Sequence, residues 1–392
     1  MASSRTDRIW WSARHCRLDD LVAVLNTHPL DAGYAHADRT EQHIPIYAGP
    51  TIRDVVRDPA QRREMQAEWA DVMLEGPGIV VIEQAFDDLE SVDAASAFFR
   101  QTIDQQHRDS GHAGDHFAKP GANDRIWNAL EKLCLSDPHT FARYYGNPIV
   151  AWIAQAWLGN AYQMTSQVNV VNPGGEPQSA HRDYHMGFQT AEEVAQFPAH
   201  VHRLCPLLTL QGAVAHVDMP LASGPTLYLP FSQRYEQGYL AWRQPEFQDY
   251  FRQYAVQLPM RRGDAVFFNP AVFHAAGGNR TDNVYRMANL LQVSSAYGRA
   301  MESVDRTRMC LALYPALCEL RDARQLSAER IASAIAASAE GYSFPTNLDR
   351  DPPIGGLAPQ SQQQLLSQAM DERWDVDTFR EHLLSHAERR IA

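Results

Sequence analysis

No stretch of this 392-residue chain approaches the ~18 uninterrupted apolar residues of a membrane helix. Residues 1–15 lack the apolar run of a secretory signal, so a cytoplasmic protein is expected. Cysteine is sparse. Cys16, Cys134, Cys205, Cys310 and Cys318 are odd in number and form no Cys-x-x-Cys pair, which argues against a disulfide framework or a cysteine zinc site. Net positive charge is also missing: the formal charge is -12, a poor fit to a nucleic-acid binder, which must neutralise phosphates. Lysine occurs only at Lys119 and Lys132, so arginine carries nearly all the positive charge. Internal repeats and low-complexity tracts are absent. What is present, 45% hydrophobic and 21% charged residues, is the composition of an ordinary globular protein. The expected partner is a small-molecule substrate, with no nucleic acid and no membrane; nothing in the sequence speaks to oligomeric state.

The chain reads as a single domain, 1–392, in three parts. Residues 1–160 read as mainly helical, with helix-like patterning over 62–74, 87–105, 126–135 and 149–158. Gly76-Pro77-Gly78 reads as a turn feeding a buried strand at 79–82. From 161 to 298 short β-rich runs (167–171, 207–217, 226–229, 265–269 and 284–293) alternate with Gly, Pro and Asn turns, which suggests a sandwich or barrel. An aromatic-rich stretch at 231–254 interrupts them as helix or loop. Residues 299–392 return to helix, notably over 321–339 and the last ~30 residues.

The chemistry is carried by His181-Arg182-Asp183 with His274 and Arg286. On an extended segment, residues i and i+2 share a face, so His181 and Asp183 can reach one cation. A second histidine from a distant strand completes two imidazoles and one carboxylate, the set that suits Fe(II) oxygenases because it leaves coordination positions open. The pattern alone is weak, since His36-Ala37-Asp38, His107-Arg108-Asp109 and His386-Ala387-Glu388 also match it. Residues 107–109 and 386–388 lie in helix-like segments, where i and i+2 diverge by ~200°. His36 lies in a polar loop. Only His181 follows a strand and turn inside the β-rich region.

Downstream, Gly263-Asp264 opens a buried strand that ends at His274, and a Gly/Asn/Asp loop then leads to Arg286. A hairpin centred near Arg280 would set His274 and Arg286 opposite one another, with Cβ atoms ~5 Å apart. A guanidinium there could pair with the far carboxylate of a 2-oxo diacid. The plainer reading of Arg286 is a structural salt bridge. Arg280 competes for the role but lies in the loop.

These residues resemble the phytanoyl-CoA dioxygenase family of Fe(II)/2-oxoglutarate-dependent oxygenases. The resemblance rests on His181-Arg182-Asp183 after a Pro-Gly turn, the run Ser223-Gly224-Pro225-Thr226-Leu227-Tyr228-Leu229-Pro230-Phe231-Ser232, Gly263-Asp264 leading to His274, and Gly278-Asn279-Arg280 leading to Arg286. Phe231 and Gln233 stand where the family usually has glycine and histidine. The resemblance covers 165–295 well, the upstream region loosely and the last ~90 residues hardly at all. It implies a double-stranded β-helix (a jelly-roll, cupin-like barrel) with a helical N-terminal region and a helical C-terminal extension. It also implies Fe(II) bound by His181, Asp183 and His274, with 2-oxoglutarate and O2 as co-substrates and Arg286 on 2-oxoglutarate. Gln167 and Asn169, which share one face of the preceding strand, are candidates for further contacts to 2-oxoglutarate, as is Lys119 upstream. The implied reaction is decarboxylation of 2-oxoglutarate to succinate and CO2 coupled to oxidation of an unactivated C–H bond, with no catalytic residue beyond the metal ligands. An intact Asp183 argues for hydroxylation over halogenation, since related halogenases carry Ala or Gly there. Without a basic cluster for coenzyme A, a smaller or natural-product substrate is expected. Two rivals stand beside this reading: a cupin-like metalloenzyme that does not use 2-oxoglutarate, which would not need Arg286, and a non-catalytic ligand-binding family member. His185 is read either as a pocket or supporting residue or as a surface histidine. Tyr235, Tyr239 and Trp242 are read as lid, substrate wall or core.

Overall fold

A computed structural model of the chain describes residues 4–27, 33–110 and 121–391. Among them the strands, in order, are β1 (Arg39–Glu41), β2 (Ile44–Ala48), β3 (Ile79–Glu83), β4 (Asn123–Ile126), β5 (Gln163–Val171), β6 (Thr209–Ala215), β7 (Leu227–Leu229), β8 (Val256–Gln257), β9 (Ala265–Phe268), β10 (Phe273–Ala275) and β11 (Arg286–Ser294). They form an eight-stranded sheet, β1-β2-β3-β9-β6-β11-β5-β4, and a three-stranded sheet, β10-β7-β8.

β3 and β9 are continuous apolar runs because both of their faces are buried. They pair antiparallel, Val81 against Val266, and β9 pairs in turn with β6, Val266 against Ala213. The turn into β9 needs Gly263, whose φ of 89° lies in the left-handed region. The Asp264 carboxylate then accepts the backbone N–H groups of Arg261 and Gln84, each at 2.7 Å, and so fixes the strand entry. One apolar cluster joins the two sheets: Ile44, Ile46, Ile79, Val81, Ala213, Val266 and Phe268 from the large one meet Tyr228, Leu258 and Val272.

The chain divides into two compact units. The first, Met1–Asp87, Gln105–Arg125 and Val168–Leu291, holds most of the β structure. The second, Asp88–Asp104, Ile126–Gln167 and Gln292–Ala392, is mainly helical. Within it, Tyr314 on the helix Arg306–Asp322 donates to the Ala369 and Trp374 carbonyls at 3.1 and 2.7 Å and stacks on Phe379 at 4.0 Å. No helix among the described residues is long and apolar enough to cross a membrane.

Among the described residues, 1–160 is mainly helical, as expected, and also supplies β1 to β4 to the large sheet. Two expectations need correction. The helix-like run at 126–135 is the end of β4 followed by a helix at Ala129–Ser136. β4 was hidden because Asn-Asp-Arg has little intrinsic strand preference and becomes strand only by pairing at a sheet edge. Second, residues 275–285 do not form a hairpin, since β10 and β11 lie in different sheets. The connection pairs instead with residues 174–178: Gly174 donates to the Asn279 carbonyl, Asn279 to Gly175 and Gln178 to Ala276, all at 2.9 Å.

Candidate metal centre

His181, Asp183 and His274 converge. Each offers one ligand atom, and these atoms lie within 4.8 Å of one another. The two histidines are brought together by an isolated antiparallel bridge in which each backbone N–H donates to the other's carbonyl, at 2.9 and 3.1 Å. Their ring centroids are 4.4 Å apart. Asp183 Oδ2 lies 3.6 Å from His274 Nε2 and 4.0 Å from His181 Nε2. The Asp183 N–H donates to the Pro270 carbonyl at 3.1 Å, which ties the ligand-bearing segment to the chain leading into β10.

Both imidazoles are oriented in the same way. His181 Nδ1 lies 3.0 Å from the Ser179 carbonyl, and His274 Nδ1 lies 2.9 Å from the Val272 carbonyl, each two residues upstream. Donation from Nδ1–H to a carbonyl leaves Nε2 as a lone pair, the tautomer a metal requires. Burial and the neighbouring His274 push His181 below its ordinary pKa, so it stays neutral. Burial alone would raise Asp183, but His274, His181 and Gln211 outweigh it and hold the carboxyl at about 2. Two imidazoles presenting Nε2 and one ionised carboxylate, at separations a single ion can bridge, fit a divalent iron site.

Gln211, on β6, was not singled out in the sequence, yet its Nε2 donates to Asp183 Oδ2 at 2.5 Å. Its only signal there was a carboxamide in an otherwise apolar strand. Arg182 was given no role of its own in the sequence. As residue i+1 it points away from His181 and Asp183, into the apolar cluster of the first unit, where it is 2% exposed. It donates to the Ser232 and Tyr235 carbonyls at 2.5 and 2.8 Å, with its Cζ 5.3 Å from the Tyr239 ring centroid and 4.9 Å from that of Phe273. Tyr239 donates in turn to the Asp183 carbonyl at 2.7 Å. Tyr235 and Tyr239 are thus buried core residues, and Trp242 packs against the same cluster.

Arg286 is not the cross-strand neighbour of His274, because it opens β11 in the large sheet while His274 pairs with Tyr228 on β7. It is buried, 6% exposed, and its guanidinium has no hydrogen-bond or ion-pair partner among the described residues. A structural salt bridge is therefore not what holds it. Burial lowers its pKa to about 10, which leaves it charged at neutral pH. An unpaired buried cation is costly, and this one fits the carboxylate of a bound acid.

Gln167 and Asn169 are both buried, since β5 is covered on both faces from Met164 onward. Gln167 Nε2 donates to Gln292 Oε1 at 3.2 Å, within the second unit. Asn169 belongs to the first unit, and its buried Oδ1 has no hydrogen-bond partner among the described residues. Lys119 lies outside the described residues. Arg280 is exposed. The decoy histidines are placed elsewhere. His107 pairs with Asp124 at 2.9 Å from its helix, and the buried His386 meets the Gln360 carbonyl at 2.9 Å.

A family model described as phytanoyl-CoA dioxygenase (PhyH) matches residues 51–288, more than half of the chain. No curated protein matches it. Similar solved structures include the non-haem alpha-ketoglutarate-dependent epimerase SnoN from nogalamycin biosynthesis, with 22% identity, a TM-score of 0.42, and coverage of 61% of this chain and 85% of that one. The alpha-ketoglutarate-dependent carbocyclase SnoK from nogalamycin biosynthesis is 20% identical with a TM-score of 0.39, covering 58% and 83%. EvdMO1 is 16% identical with a TM-score of 0.42, covering 59% and 50%.

Proposed function

The chain belongs to the phytanoyl-CoA dioxygenase (PhyH) family, and on that premise we propose that it hydroxylates an unactivated C–H bond of a small organic molecule while 2-oxoglutarate is converted to succinate and CO2. The family's enzymes are 2-oxoglutarate-dependent non-haem iron oxygenases with a double-stranded β-helix core, and Fe(II) and 2-oxoglutarate are the cofactor and co-substrate here. The observation that carries the reading is the convergence of His181, Asp183 and His274, with both imidazoles presenting Nε2 to a common point.

In this reading those three side chains hold the iron. The bound ion supplies open coordination positions at which a 2-oxo acid and O2 can react. The chain's own residues bind and orient. Gln211 fixes the Asp183 carboxylate, and Arg286 takes the far carboxylate of 2-oxoglutarate. Asn169, Gln167 and Lys119 are offered as further contacts to 2-oxoglutarate, the Asn169 amide as a donor from Nδ2. No general base is assigned, because the reaction needs the substrate carbon held near the metal with water excluded rather than a proton removed. The unpaired guanidinium of Arg286 favours this reading over a metalloenzyme that does not use 2-oxoglutarate, which would have no use for a buried anion anchor.

Succinate formation tests the proposal. Full-length protein loaded anaerobically with Fe(II) and 2-oxoglutarate is exposed to O2 across a panel of small substrates. Succinate release, abolished in His181→Ala, together with incorporation of an oxygen atom from labelled O2 into product, is the expected result. No succinate with any substrate would leave a ligand-binding role in its place.

A further inference from the structure

Tyr228 is 4% exposed, and its hydroxyl, with the Thr226 side chain nearby, makes no hydrogen bond of good geometry among the described residues. A phenylalanine would fill the same space without an unsatisfied donor, so the hydroxyl lacks a purpose within the protein alone. Its place in the fold supplies one. Tyr228 on β7 is the direct cross-strand partner of His274 on β10, and the two rings flank Phe268, at centroid distances of 5.1 and 4.8 Å. Ala288 and Leu290 of β11 pack against the apolar cluster that contains Tyr228 and Phe268. Arg286 precedes Ala288 by two residues and so projects from the same strand face. The phenol and the guanidinium are close enough for each to perturb the ionisation of the other.

Two buried donors for which the described residues supply no acceptor of good geometry therefore lie beside the cluster that adjoins His274. A carboxylate is an acceptor-only group with two oxygens, and it can satisfy a guanidinium and a phenol O–H together. We infer that Tyr228 and Arg286 jointly hold the distal carboxylate of the co-substrate, so that Tyr228 helps select a 2-oxo diacid over a 2-oxo monoacid. The inference rests on the reading of Arg286 given above and adds a second donor to it. A monoacid would leave both groups unpaired, which is how a site built to hydrogen-bond a ligand rejects an analogue lacking the matching group.

The test uses the full-length Co(II)-loaded protein, titrated by calorimetry with 2-oxoglutarate and with 2-oxobutyrate, which lacks the distal carboxylate. Tyr228→Phe removes only the unpartnered hydroxyl and is expected to melt at the wild-type temperature. Its dissociation constant for 2-oxoglutarate is expected to rise about tenfold, the loss of one hydrogen bond to a charged group, while that for 2-oxobutyrate stays unchanged. Arg286→Gln is run beside it and is expected to lose 2-oxoglutarate more severely. Wild-type affinity for 2-oxoglutarate in Tyr228→Phe, with Arg286→Gln impaired, overturns the role of Tyr228 and leaves Arg286 as the anchor. Wild-type affinity in Arg286→Gln overturns the underlying reading and the inference with it.

Discussion

Gly238 packs so closely on Arg182 that a Cβ added there would lie 1.8 Å from the guanidinium carbon. The guanidinium is held between the Tyr239 and Phe273 rings, next in sequence to three residues that converge: it separates His181 from Asp183, and Phe273 precedes His274. Gly238→Ala must displace it, and overpacking of this kind costs about 1–3 kcal/mol. The variant is expected to melt lower and to bind Co(II) about 10–100-fold more weakly, as loss of support around metal ligands generally does. Thermal denaturation and titration of the Co(II) visible absorption check both. Reduced melting temperature with wild-type Co(II) affinity would make the clamp purely structural.

Gln211 gives a milder case. It reaches the candidate metal centre through its bond to Asp183 Oδ2. Gln211→Leu frees the carboxylate to rotate and is expected to lower Co(II) affinity about tenfold with little change in fold. Gln211→Glu places a second carboxylate at hydrogen-bond distance and is expected to raise the Asp183 pKa from about 2. Metal titrations of the two variants distinguish orientation from charge.

The pH dependence has a definite sign. Burial and His274 depress His181 below 6.5, so protonation favours the unfolded or metal-free chain. Stability from this group is complete above 6.5 and is lost as pH falls through its lower folded value, and metal affinity follows because only the neutral imidazole ligates. The His181 imidazole, followed by NMR in the metal-free protein, is therefore expected to titrate below 6.5. A His181 midpoint at or above 6.5 would contradict the burial argument.

The convergence of His181, Asp183 and His274 was legible in the sequence because two-residue spacing on an extended segment dictates a shared face, and because a histidine ending a buried strand has few other uses. The helices with clear apolar periodicity were legible too, as at Pro148–Leu158. Arg182 was not, since alternation sends it away from the metal and only tertiary packing shows what it meets. The placement of Arg286 was misread because a Gly- and Asn-rich connection looks the same whether it turns a hairpin or carries the chain from one sheet to another. β4 went unseen because Asn123, Asp124 and Arg125 become strand through pairing rather than preference. Gln211 had no pattern to announce it.

Arg286→Lys separates charge from geometry. Lysine keeps the cation but not the planar fork that meets a carboxylate with two bonds. Its 2-oxoglutarate affinity, read by calorimetry on the Co(II) protein, is expected to fall between wild type and Arg286→Gln. Equal affinity of Lys and Arg variants would show that charge alone suffices.

The most direct measurement is a crystal structure of the protein grown anaerobically with Fe(II) and 2-oxoglutarate, with anomalous diffraction recorded at the iron edge. The expected map has one iron peak about 2 Å from Nε2 of His181, Nε2 of His274 and a carboxylate oxygen of Asp183, and the far carboxylate of 2-oxoglutarate against Arg286. An iron peak elsewhere, or none at these three side chains in a protein that still releases succinate, would contradict the assignment.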